Sequence, residues 1–187
     1  MNKELEEVNS MYQEVQPYID PTVDELKSRS EVYQLELQTN NNKYGKVYSL
    51  AIEKLDLIFP RLSPNEIIEG YSEGCRLLQR SLSGYMANQF HSDYIPTMID
   101  AVQRPDLHTA WIFLQALADN VGGDIFPLAV EALDTKELTE TALNIVEQLN
   151  IVEALPKVKV LMSSEDDSIA SLAAEIWSHL QRKGQIG

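Results

Sequence analysis

Three histidines, one cysteine and a run of three acids are the side chains of this 187-residue chain that could do chemistry. A metal site on a helix needs ligands three or four residues apart. His91, His108 and His179 form no such pair, and none stands at a ligand spacing from Cys75. His91 lies two residues before Asp93, which reads as the cap of the following helix. Cys75 has Arg76 beside it, a cation that favours a thiolate. No histidine is close in sequence to act as its base, and a lone cysteine on an apolar helical stripe is a small core residue. Glu165-Asp166-Asp167 precedes a helix and reads as its cap and dipole complement. There is no glycine-rich phosphate loop, because Gly122-Gly123 reads as the end of one helix and the turn into the next. The expectation is therefore no catalytic residue, no metal, no cofactor and no enzymatic activity.

Composition narrows the partners. The chain carries 29 acidic and 15 basic side chains, a formal net charge of −14. Such a surface repels phosphate backbones and suits a basic protein partner, so direct nucleic-acid binding is not expected. Hydrophobic residues make up 44%, enough for a packed core rather than a disordered chain. One cysteine excludes an intramolecular disulfide. No apolar run approaches the roughly 20 residues of a membrane span, and MNKELEEVNS contains no secretory h-region, so no membrane association and a cytoplasmic location are expected. The charge is uneven. Residues 1–40 carry a net of −6, residues 41–92 a net of +1, residues 93–162 a net of −7 and residues 163–187 a net of −2.

The elements that must position these groups are helices. Leu5, Val8, Tyr12, Val15 and Ile19 make one helical stripe that Pro17 stops or bends. Asp20-Pro21 reads as the start of a second helix with Val23, Leu26, Ser30, Tyr33 and Leu37 on one face, ending in a polar loop at Asn40-Asn41-Asn42. A third carries Val47, Ala51, Leu55, Ile58 and Phe59 and ends at Pro60. Ser63-Pro64 with Glu66 opens a fourth that carries Ile67, Tyr71, Gly74, Leu78 and Leu82 and stops near Gly84. No stretch alternates apolar and polar residues, so the fold class is all-α.

From residue 93 the chain repeats a phrase. DYIP, DIFP and EALP place prolines at 96, 127 and 156, and an apolar helix follows each. A polar turn and a second helix come next, with Ala110, Ala142 or Ala173 expected at a close helix crossing and Leu117, Leu149 or Leu180 seven residues on. One such hairpin cannot bury its apolar stripe alone, but stacked copies can. Gly74, with Leu77 and Leu78 matching Phe113 and Leu114, reads as a fourth, diverged unit.

The segments IPTMIDAV, FPLAVEAL and LPKVKVLM, with acids in or near the turns and the alanine–leucine core of the second helices, resemble the HEAT repeat family over residues 93–182. The arginine that the family often carries early in the second helix is absent from all three units. The resemblance implies a right-handed α-solenoid of stacked helical hairpins and a protein-binding role. It divides a single helical domain, 1–187, into acidic N-terminal helices (1–42), a diverged helix pair (43–92) and three repeats (93–182). It also implies that the second helices line the binding surface, with His108, Trp111, Gln115, Glu140, Leu143 and Glu147 as the partner-binding residues. Charge and size together suggest an inhibitor or immunity-type protein that neutralises a basic bacterial effector such as a nuclease toxin. The alternatives are a scaffold or adaptor subunit of a larger complex and a HEAT-like enzyme.

Overall fold

The stripe Leu5, Val8, Tyr12 and Val15 is the seam of the first helix. In the computed structural model, which describes residues 1–19, 31–104 and 109–184, α1 runs Lys3–Ile19 and all four side chains are fully buried. Helix α1 continues through Pro17 for two residues, so the proline falls inside its last turn instead of stopping it. The cap expected at Asp20-Pro21 and the positions Val23, Leu26 and Ser30 lie outside the described residues.

Helix α2 spans Glu31–Ile58 and packs along α1. It runs straight through Asn40-Asn41-Asn42, where the sequence suggests a loop. Asparagine is a weak helix former, but a few tenths of a kcal/mol per residue yield to tertiary packing. That packing starts at once: Tyr44 stacks on Tyr18 of α1 with centroids 3.7 Å apart, and Tyr48 tilts against Tyr12 at 5.8 Å. Ala51, Leu55 and Ile58 are buried further along. Lys54 pairs with Glu7, and Arg61 reaches Glu4 at 3.0 Å. Pro60 ends the helix in a single 3₁₀ turn, Phe59–Arg61.

Helix α3, Pro64–Glu73, opens on the capping box that its sequence spells. Glu66 N donates to Ser63 Oγ at 3.4 Å, and Ser63 N donates to Glu66 Oε2 at 2.9 Å. The expected single helix through Gly74 is two. Gly74 is extended, and α4 restarts at Arg76 and runs past Gly84 to Asn88. A Cβ on Gly74 would lie 2.5 Å from the Gly70 carbonyl oxygen, so only glycine fits the break. The amides freed there are capped by α1: Cys75 N donates to Asn9 Oδ1 at 2.8 Å, and Leu77 N donates to Gln16 Oε1 at 3.3 Å. Gly74 thus sits in a break, not at a helix crossing as a diverged repeat would require, although Leu77 and Leu78 are buried.

The chain forms two compact units, Met1–Met86 and Ala87–Gly187. In the second, the repeated phrase has a uniform structural meaning. Asp93, Asp124 and Glu153 are exposed, while Tyr94, Ile125 and Ala154 are buried in short 3₁₀ turns. The proline then presets the first helical turn of α5 (Ile95–Val102), α7 (Phe126–Ala132) and α9 (Leu155–Leu161). Asp93 does not cap α5. His91 Nδ1 accepts from Asp93 N at 3.2 Å, and α5 has no side-chain cap.

The second helices are α6 (Ala110–Val121), α8 (Thr139–Gln148) and α10 (Asp167–Gly184). Each first helix packs on the second that follows it, and α8 packs on both α6 and α10. Ala110, Ala142, Ala173, Leu117 and Leu180 are buried. Leu149 is half-buried because α8 ends there. Asn150 takes a left-handed conformation, φ 53°, and Ile151 N donates back to the Val146 carbonyl at 2.9 Å. This is the Schellman ending, which asparagine tolerates better than most residues. Gly122, φ 68°, ends α6 as expected. Among the described residues there is no strand, and no helix is long and apolar enough to cross a membrane. The fold class is all-α.

Candidate functional site

The exposed face of the second helices carries most of the residues picked out by the sequence. Trp111 stands in the first turn of α6 and is 53% exposed, so it is a surface aromatic and not a core one. One turn on, Gln115 Nε2 donates to Asp119 Oδ1 at 3.0 Å and to Gln148 Oε1 of α8 at 3.1 Å. Gln148 Nε2 closes the ring by donating to Asp119 Oδ1 at 2.9 Å. The next step, from α8 to α10, is also polar. Glu147 lies 3.8 Å from His179 Nδ1, and His179 Nε2 lies 3.4 Å from Asn150 Oδ1.

Leu143 is a correction. It is fully buried, because α8 packs against α6, α7 and α10 and must bury two adjacent positions, Ala142 and Leu143. It is not on the surface as Trp111 is. Glu140 is exposed and Glu147 half-buried. His108 lies outside the described residues. Asp119, Gln148 and His179 were missed by the sequence reading. Gln148 lies 33 residues after Gln115 and His179 lies 32 after Glu147, the spacing of the repeat itself. That spacing marks Gln148 and His179, and Asp119 follows Gln115 by one helical turn.

A second feature adjoins this face. The turn after α7 and the turn after α9 enclose a cleft of about 860 Å³, lined by Asp134, Lys136, Glu137, Glu140, Glu165 and Asp166 among others. Two of its acids are already engaged. Asp134 Oδ2 accepts from Lys157 Nζ at 2.6 Å. Asp166 caps α10: its Oδ1 accepts from Ser168 Oγ at 2.6 Å and from Ser168 N at 3.0 Å. The Ser168 hydroxyl, then the backbone amides of Ile169 and Ser168, hold the Asp166 carboxyl below its ordinary value, with Lys136 adding a smaller pull. Glu137, Glu140 and Glu165 have no hydrogen bond or ion pair among the described residues, so their charge is available to the cleft.

Cys75 is half-buried, and burial pushes its thiol up, outweighing helix N-terminal amides and the neighbouring Arg76, which act the other way. No three of His, Cys, Asp and Glu converge on a metal-sized site among the described residues. No protein-family model, curated protein or solved structure matches this chain.

Proposed function

We propose that this chain is a non-enzymatic binding protein whose second unit is a short, right-handed, HEAT-like solenoid and takes a basic segment of a protein partner. The observation that carries the reading is the trio Glu137, Glu140 and Glu165, three carboxylates without internal partners around one open cleft. Unpaired carboxylates lining one cleft offer acceptors and negative charge that complement a lysine- or arginine-bearing partner. The region 93–162 supplies a background net charge of −7, which would steer such a partner inward. Trp111 adds an exposed aromatic, the residue type that most often anchors an interface. In its most specific form the partner is a basic effector such as a nuclease toxin, and the chain is its inhibitor.

The test is capture of a partner from the native host, followed by binding kinetics at low and high salt. The triple change Glu137→Lys, Glu140→Lys, Glu165→Lys should slow association and reduce its salt dependence. Trp111→Ala should speed dissociation while leaving association nearly unchanged. A folded triple variant that associates at the wild-type rate would remove the cleft from the binding surface.

A further inference from the structure

The first unit presents a charged stripe that the described residues leave largely unengaged. On α2, Lys43, Lys46, Leu50, Glu53, Asp56 and Leu57 are exposed, while Ala51, Leu55 and Ile58 face the core. Leu50 is 56% exposed and Leu57 74%. Lys46, Glu53 and Asp56 make no hydrogen bond or ion pair among the described residues, and Lys43, 3.8 Å from Glu14 and 5.6 Å from the centroid of the Tyr44 ring, is held only at long range. Scattered exposed leucines are ordinary, but these two lie seven residues apart on one helical face.

The order of charges decides what this face fits. Lys43 and Lys46 come before Leu50, and Glu53 and Asp56 come after it. A second α2 laid parallel would set lysine against lysine and acid against acid. Laid antiparallel about an axis beside Leu50, it sets each copy's Lys43 and Lys46 opposite the other's Asp56 and Glu53. The two Leu50 side chains meet near the axis, and each Leu57 lies over the methylene stems of the opposing lysines. The face is complementary to itself under a two-fold rotation, which an isologous dimer requires.

We propose that this face of α2 docks a second copy of the chain in antiparallel register. Residues 43–57 span about 22 Å of helix. That is short beside an interface of roughly 1,600 Å², so the dimer is reversible and its population follows concentration.

Sedimentation velocity over a concentration series at low and high salt tests this. The wild type should pass from monomer to dimer, more readily at low salt. Leu57→Asp should abolish the dimer. Lys46→Glu and Glu53→Lys should each weaken it roughly tenfold, and the two together should restore it, because the opposing pair is re-formed with reversed sign. Circular dichroism confirms that each variant keeps its helices, and if Leu57→Asp unfolds, the charge swap still decides. Ser49→Cys in a Cys75→Ser background should form a covalent dimer on oxidation, whereas Ser163→Cys should not. A wild type that stays monomeric at every concentration overturns the proposal, including the case in which another segment of the chain covers the stripe. So does a dimer unmoved by the α2 variants, or a charge swap that fails to restore association.

Discussion

Asn9→Ala should destabilise the first unit far more than an ordinary polar deletion from a helix would. Asn9 is 7% exposed, and its Oδ1 is the acceptor for Cys75 N at the break between α3 and α4. Truncation removes that hydrogen bond, worth about 1 kcal/mol net, and strands the amide where water has little access. The sum is about 2 kcal/mol. Gln16→Ala is the internal control. Its bond to Leu77 N is longer, 3.3 Å, and its side chain is half-exposed, so water can replace it and the cost should stay under about 1 kcal/mol. For a unit of this size 1 kcal/mol moves the melting temperature by roughly 4–8 °C, so Asn9→Ala should lower the transition of the first unit by roughly 8–16 °C. Thermal melts followed by circular dichroism measure this, and hydrogen exchange at the Cys75 amide localises it. If the Cys75 amide exchanges no faster in Asn9→Ala, Asn9 does not cap α4; if Gln16→Ala costs as much as Asn9→Ala, burial is not what sets the cost of losing a cap.

Ala142→Leu should overpack the fully buried crossing of α8 and cost about 1–3 kcal/mol; an unchanged denaturation midpoint would show that the site has room. The Asp166 carboxyl is held below its ordinary 3.8, so the stability it contributes is complete above that value and is lost as pH falls through the lowered folded value. Asp166→Asn should therefore flatten the acid limb of the stability curve, and an unaltered limb would mean the cap contributes nothing. Cys75, with its thiol pushed up by burial, should alkylate at neutral pH more slowly than an unstructured cysteine peptide and should speed up on unfolding. Equal rates in the folded and unfolded chain would refute that burial.

What the amino-acid sequence determines here is set within about four residues. Proline 96, 127 and 156 each start a helix because the ring fixes a backbone angle whatever lies nearby. Ser63, Pro64 and Glu66 close their capping box on themselves, and Gly122 ends α6 through its own conformational freedom. The seam of Leu5, Val8, Tyr12 and Val15 follows from helical spacing alone. Glu137 and Glu140 are legible in the same way, as acids near one helix start. What the tertiary structure decides involves partners far along the chain. Tyr18 and Tyr12 hold α2 helical next to its three asparagines, against their local preference. Asn9 and Gln16, more than sixty residues before the amides they cap, make the break at Gly74 tolerable. Leu143 is buried because α8 has helices on several sides, which no spacing within α8 reveals. Glu165 joins Glu137 and Glu140 around one cleft only because α10 packs on α8, bringing two turns side by side that are remote in sequence.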